Sequence, residues 1–483
     1  MAKGTYKFGK EEKLFISQHG ERGKRIYIGT RGTNRAVFDF SAHPYESTYQ
    51  GVIVYGTWLY IKNIDITGAG DNGMLVEDST IFAWGQAGNK GKKWPTSMTG
   101  KGASYIIFEN CKFYKNRDSG WQLKNGASYD TLINCDSYDN YDPTDGGDAD
   151  GFAPKMNHGQ GVHFYGCRAY NNSDDGWDCF IKEDGNRPYC PETVKTTVEY
   201  CITYANGTLS NGDKKGNGNG FKMSSKDGYN EFDAIHCLAY GNQGGSSGHK
   251  GFDANNGNGK LTMINCSAAD NGAAEYSMKT GTSVFVNCNS IGSGSKEIIT
   301  SSKSSVTTCD WTGSPSDFES MDPSGLTAPR NPDGSLSAKT LSFMKPKKGN
   351  TKFIDKGTNI NGMKYSGSKA DIGWIEVGLD LVGIKDMKID RTPASSAELI
   401  TSITSVAKGI LNVDFTVLPS GKLDVAIFDI NGKKVLHLSN TFGAAGKSQT
   451  IDLRKLAAGT YVCNFTFNAF DGVRTDNLKL VKE

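Results

Sequence analysis

Five times between residues 120 and 254 the chain repeats one short pattern: a glycine, an aromatic residue, a mostly polar position, a mostly apolar one. The glycine–aromatic pairs are Gly120–Trp121, Gly151–Phe152, Gly176–Trp177, Gly220–Phe221 and Gly251–Phe252. Three places after each glycine stand Leu123, Pro154, Cys179, Met223 and Ala254; between lie Gln122, Ala153, Asp178, Lys222 and Asp253. A period of two marks strands with positions +1 and +3 turned inward and +2 outward. No stretch shows a convincing helical period, so an all-β chain is predicted.

A second mark interleaves with the first. Cys-x4-Asn occurs at Cys111/Asn116, Cys135/Asn140, Cys167/Asn172, Cys201/Asn206, Cys237/Asn242 and Cys266/Asn271, at intervals of 24 to 36 residues. Such recurrence signals a solenoid. Short strands, one copy per turn and a variable turn length predict a right-handed parallel β-helix with rungs roughly 4.8 Å apart. Identical residues then stack: cysteines and aromatics inside, asparagines as an amide ladder at one turn. The cysteines are expected as small buried hydrophobes. Cys179 and Cys190 flank a loop, which leaves a bridge between them open, although Cys179 falls on an inward position.

Composition agrees. Of 483 residues 60 are Gly and 13 Pro, and Lys plus Arg (54) nearly balances Asp plus Glu (52), for a net charge of +2. No global field draws nucleic acid or membrane, so attraction for a charged substrate must be local. No apolar run is long enough to span a membrane. The start, "MAKGTYKFGKEEK", has no apolar signal core. A monomer is expected.

The spacing between marks is longest in "YDPTDGGDAD", "KEDGNRPYCPET" and "GTLSNGDKKGNGN". Insertions leaving neighbouring corners of a solenoid wall a groove, and all three flank the rungs of Asp150, Asp178 and Lys222. Aligned on Gly151, Gly176 and Gly220, Asp150 and Asp175 share a column, Asp174 stands one step before, and Asp178 points outward next to Lys222. Four converging carboxylates repel unless a cation sits among them. Hard oxygen donors in a roomy arrangement suit Ca²⁺, which takes 6–8 oxygens at about 2.3–2.6 Å; Mg²⁺ needs a tighter octahedron, and no His or Cys pair favours Zn²⁺. The bland alternative is that Asp-Gly only marks tight turns. Lys155, four places after Gly151 and off the outward column, is the weaker candidate for a base. His158 and His163 are expected to be structural.

"GGDADGFAPK", "NNSDDGWDCF" and "GNGFKMSS", in that order among Cys-x4-Asn rungs, resemble the pectate lyases of polysaccharide lyase family nine. The similarity runs over roughly residues 20 to 380, including "RAVFDFS", "GLTAPRNPDGSL" and "KADIGWIE". It implies that Asp150, Asp174, Asp175 and Asp178 bind Ca²⁺ and that Lys222 is the catalytic base. The family usually opens with an additional strand segment where this chain starts at "KGTYKF", so a shortened N-terminal cap is expected. The implied reaction is β-elimination on an acidic polysaccharide, polygalacturonate or pectin. A cation neutralises the uronate carboxylate and stabilises the enediolate, a neutral lysine removes the C5 proton, and the C4–O4 bond breaks. An unperturbed lysine titrates near about 10.4, so an alkaline optimum is expected. Two rivals stand beside this. A polygalacturonase-type hydrolase would need paired carboxylates, but its usual Asn-Thr-Asp, Gly-His-Gly and Arg-Ile-Lys motifs are missing. A non-catalytic glycan-binding β-helix would show no depolymerisation.

Beyond residue 390 the texture changes. The helical coil is expected over 1–390, a linker over 391–397, and a small β-sandwich over 398–483. Within it "LNVDFTVL" and "LDVAIFDINGKKVLHL" alternate around an Asn431–Gly432 hairpin turn. "AAGTYV" with a closing "LKLVK" is similar to the sorting domains of type IX secretion cargo, which implies a secreted or cell-surface enzyme. A generic accessory domain is the alternative.

Overall fold

The structure, a computed structural model, describes residues 1–379 except 227, 247, 292–297 and 361–362. It also describes residues 400–482 except 408–409, 416–420, 430–432, 443–447 and 470–471. The expected linker at 391–397 and the Asn431–Gly432 turn lie outside these residues. Contacts divide the chain into two compact units, Met1–Asp390 and Arg391–Glu483.

The first unit is a parallel β-helix. Every third strand joins the same sheet, giving sheets of 11, 10 and 10 strands in strict sequence order. The first strand, Gly4–Lys7, already pairs in register with Ala36–Asp39. Stacking follows from the repeats. Phe152, Trp177, Phe221, Phe252 and Tyr276 form an internal column with ring centroids 4.9 Å apart at each step. The six repeat cysteines are buried, and all eleven cysteines are free thiols, so Cys179 and Cys190 are not bridged. The inward place of Cys179 inside the coil accounts for this.

The asparagines form a continuous buried ladder. Asn116, Asn140, Asn172, Asn206 and Asn242 each donate Nδ2 to the next Oδ1 at 2.8–2.9 Å. Each receiving Oδ1 from Asn140 to Asn271 also accepts the preceding asparagine's backbone N–H, at 3.1–3.3 Å. Glu275 ends the column, accepting from Asn271 Nδ2 at 2.5 Å. The ladder satisfies buried backbone groups at the turn that enters the second sheet, and so sets the register of the residues that follow.

Residues 315–377 strap the outer face of the 11-stranded sheet. Phe318, Leu326, Phe343, Phe353 and Trp374 pack with Ile202, Leu238 and Ala269. One buried carboxylate pins the strap: Asp136 accepts from Arg168 Nε at 2.8 Å and from Arg330 Nη2 at 2.6 Å. Burial opposes its charge, but Arg168 and then Arg330 hold it far below the usual carboxylate range.

The regular structure is nearly but not wholly strand. A helix spans Ser79–Trp84, where none is expected. Six residues are too few to write a period; the N-cap makes it, with Asp78 Oδ1 accepting from Thr80 N at 2.8 Å and Ile81 N at 3.2 Å. The second unit is a β-sandwich of three and four antiparallel strands. Leu411, Val413 and Ile451 of one sheet share a core with Val425, Ile427, Cys463 and Phe465 of the other.

Candidate active site

The second sheet carries the candidate residues. Register pairs Phe152 with Trp177, Trp177 with Phe221, Asp178 with Lys222, and Lys222 with Asp253. The outward column is therefore Gln122, Ala153, Asp178, Lys222, Asp253, as the alternation predicts. These side chains point away from the core, yet Asp178 and Asp253 are each only 4% exposed. Lys155 and Lys222 enclose Asp178, Lys250 pairs with Asp253 at 2.9 Å, and Gln122 of the same column lines a groove.

Asp150 and Asp175 sit on adjacent rungs: Gly151 N donates to Asp175 O at 2.9 Å, and Asp175 N to Asp150 Oδ1 at 3.2 Å. Carboxylate oxygens of Asp150, Asp174 and Asp175 lie within 4.8 Å of one another. Asp178 stands beside this trio, between two ammonium groups. Its Oδ1 is 3.4 Å from Lys222 Nζ and its Oδ2 is 3.4 Å from Lys155 Nζ. Lys222 Nζ also lies 3.0 Å from Asp175 Oδ2. The loop before Lys222 orients the trio: Asn217 N donates to Asp174 Oδ1 at 2.7 Å, and Asn219 N and Nδ2 donate to Asp175 Oδ1, both at 2.8 Å.

Lys155 is the main difference from the sequence analysis. Its backbone is four places past Gly151, but its ammonium lies 2.7 Å from Asp150 Oδ2, inside the cluster. A four-carbon side chain spans the columns that backbone alternation keeps apart. Its side chain is 3% exposed, against 13% for Lys222. His158 and His163 are not part of the cluster. His158 is buried at a turn against Gly159 O, and His163 pairs with Glu199 at 3.0 Å on another sheet.

The electrostatics show an unmet demand for positive charge. Burial pushes Asp150 well above its ordinary range; Lys155 opposes this and the neighbouring carboxylates reinforce it. Burial and then Asp175 push Asp174 up to about 7. Burial raises Asp175 too, against the pull of Lys222. Only Asp178 is held below its usual value, because Lys222 and Lys155 together outweigh its burial. In turn Asp175, Asp178, Asp174 and Asp150 hold Lys222 well above the ordinary lysine range despite its burial. Counted as ionised, the four carboxylates exceed the two ammonium groups by two charges, that of one divalent ion; an exposed fifth, Asp148, lies 3.9 Å from Lys155 Nζ. Asp175 Oδ2, buried with the Lys222 ammonium 3.0 Å away, is an oxygen such an ion would share. An all-oxygen set fits Ca²⁺.

Sequence reasoning also missed one wall of the groove. Residues 78–103 form an insertion on the rung of Gly73, where Met74 pairs with Trp121. Met is not aromatic, so this rung escaped the glycine–aromatic pattern.

Comparison with known proteins places these observations. Residues 1–289 match the family model described as Pel9A-like, right handed beta helix region, and residues 407–475 match a secretion system C-terminal sorting domain. The chain is 34% identical to pectate lyase L of Dickeya chrysanthemi over 387 residues, covering 77% of this chain and 81% of that one. It is 33% identical to pectate lyase L of Dickeya dadantii over 390 residues, with the same coverage. The crystal structure of pectate lyase Pel9A superposes with a TM-score of 0.62 at 31% identity, covering 78% of this chain and 86% of that one.

Proposed function

The chain belongs to the Pel9A-like family of right-handed β-helices and is a polysaccharide lyase; from that premise we propose that it is a Ca²⁺-dependent pectate lyase in which Lys222 removes the C5 proton of a polygalacturonate unit. The observation that carries this reading is one corner where Asp150, Asp174, Asp175 and Asp178 surround two ammonium groups with a deficit of two charges.

Asp150, Asp174, Asp175 and Asp178 would hold the ion. Bound there, Ca²⁺ would supply the positive charge that offsets these carboxylates' hold on Lys222 and would act as a Lewis acid toward the uronate carboxylate. Asp175 and Asp178 fix the Lys222 ammonium from two sides, and Asn217 and Asn219 fix the carboxylates. Lys155, enclosed by Asp150 and Asp178, keeps those two side chains in place. Lys222 is the more open lysine and the one that reaches substrate. As a neutral amine it takes the C5 proton; the C5–H electrons form the C4–C5 double bond, the C4–O4 bond breaks, and the departing oxygen is protonated from solvent. The products are a saturated chain end and an unsaturated uronate.

The C-terminal sandwich gives the enzyme its destination: the protein is secreted, here read as type IX export, which brings it to a polymer too large to enter a cell. The test is ultraviolet absorbance of the unsaturated uronate during incubation with polygalacturonate. Wild type generates the chromophore. Lys222→Ala, checked for intact fold by tryptophan fluorescence, loses about 10²–10⁴-fold in rate, the usual contribution of a positioned base. Near-full activity in that variant removes Lys222 from the mechanism.

A further inference from the structure

Beside the carboxylate corner, toward the earlier rungs, the second sheet is walled into a cleft of about 390 Å³, at the lower end of the roughly 300–1,000 Å³ of ligand pockets. Its outer wall is two insertions zipped together. Gly91 N donates to Arg187 O at 3.0 Å, Tyr189 N to Lys92 O at 3.1 Å and Trp94 N to Tyr189 O at 3.2 Å. A small core of Ile81, Trp94, Ile181, Cys190 and Val194 stiffens it. Asn157 Nδ2, donating to Pro188 O at 3.0 Å, ties it to the floor.

The two edges of the cleft differ in chemistry. Lys90 and Arg187 line it from the wall and Lys124 from the adjoining end of the floor strand Trp121–Lys124. Arg187 Nη1 pairs with Asp184 Oδ2 at 3.2 Å, and Lys124 pulls on the Asp71 carboxyl, whereas Lys90 forms no ion pair among the described residues. Asp71, Asn72 and Asp118 line the opposite edge. Asp71 and Asp118 stand two places before Gly73 and Gly120, the position Asp174 holds before Gly176. Burial first, then Asp118, pushes Asp71 up to about 8, and Gln50 Nε2 donates to Asp71 Oδ2. Asn72 is 2% exposed, and its buried Nδ2 has no hydrogen-bond partner.

A galacturonate unit in a 1,4-linked chain has the same division: a carboxylate on one edge, free hydroxyls at C2 and C3 on the other. We propose that this cleft forms uronate-binding subsites on the N-terminal side of the reaction corner, with Lys90, Lys124 and Arg187 receiving carboxylates and Asp71, Asn72 and Asp118 receiving hydroxyls. This rests on the pectate lyase reading and extends it: the enzyme grips its polymer more strongly on one side of the cleaved bond than on the other.

Two measurements on the full chain test it. The first compares kcat/KM for the galacturonate hexamer and trimer in wild type, in Lys90→Gln/Lys124→Gln and in Lys90→Arg/Lys124→Arg. The hexamer-to-trimer ratio is expected to fall about tenfold in the glutamine variant, through KM, and to recover in the arginine variant. The second is calorimetric titration of the hexamer into Lys222→Ala with and without the two glutamine substitutions, which reads binding without turnover. Kd is expected to weaken about tenfold. An unchanged ratio or an unchanged Kd overturns the cleft assignment. Failure of the lyase reading shows separately, as wild type that makes no unsaturated product, and the calorimetric comparison still decides the cleft.

Discussion

Replacing Asn172 by alanine removes one step of the amide ladder immediately before Asp174 and Asp175. Asn172 Oδ1 accepts from Asn140 N at 3.2 Å and from Asn140 Nδ2 at 2.9 Å; its Nδ2 donates to Asn206 Oδ1 at 2.9 Å and to Ser137 O at 3.1 Å. All four bonds are buried. Asn140 Nδ2 keeps other acceptors in Ser137 Oγ and Phe113 O, but the Asn140 backbone N–H is left with none. A net hydrogen bond is worth about 1 kcal/mol and a buried unsatisfied group costs about 1–3 kcal/mol, so Asn172→Ala should lose about 4 kcal/mol. Urea unfolding followed by tryptophan fluorescence isolates the effect, because all seven tryptophans lie at or before Trp374 and the sandwich has none. The midpoint should fall with little change in slope. A loss below about 1 kcal/mol would mean that water or backbone movement repairs the ladder, and that the ladder does not set the register of the carboxylates.

Three further outcomes follow from the site. Lys155→Ala removes the ammonium 2.7 Å from Asp150 and should slow turnover without the collapse expected of Lys222→Ala; an equal collapse with Ca²⁺ binding intact would exchange the two lysines' roles. Asp150→Asn cuts the charge deficit from two to one, and the Ca²⁺ concentration for half-maximal activity should rise at least about tenfold, read by metal titration of the rate; an unchanged midpoint would remove Asp150 from the ion's ligands. Asp174 is raised to about 7 by burial and Asp175, so its stabilising neutral form is present below the unfolded value and is lost as pH climbs through 7. Ca²⁺ binds the charged form, so its effect on Tm should be larger at pH 8 than at pH 5 in a thermal scan; an equal shift at both would contradict the raised carboxyls.

How much of this was legible in the sequence depends on whether a feature is written locally. Parallel stacking puts like residues on like residues, so Cys111 to Cys266 and Asn116 to Asn271 announce both the coil and its phase. Gly151, Gly176 and Gly220 then align Asp150, Asp175, Asp178 and Lys222 by counting alone. The period of two says where a side chain leaves the backbone and nothing about where a long one ends, so it gave no sign that the ammonium of Lys155, off the outward column, reaches the cluster. The helix Ser79–Trp84 rests on one cap, which leaves no pattern. The cleft wall joins segments about 95 residues apart through Gly91–Arg187 and Trp94–Tyr189 backbone bonds, which side-chain patterning does not encode. The strap motifs "GLTAPRNPDGSL" and "KADIGWIE" were legible as a resemblance; their physical part, Arg330 on Asp136 and Trp374 in the strap core, needed coordinates.

The central claim is that a divalent ion completes the charge of this corner and frees Lys222 to act as a base. Its most direct test is the rate of unsaturated uronate formation from polygalacturonate at alkaline pH, measured with the purified enzyme after chelation and again after stepwise return of Ca²⁺. The account predicts no chromophore in chelator and saturable recovery with Ca²⁺. Full-rate elimination in chelator, with the substrate also stripped of metal, would contradict it.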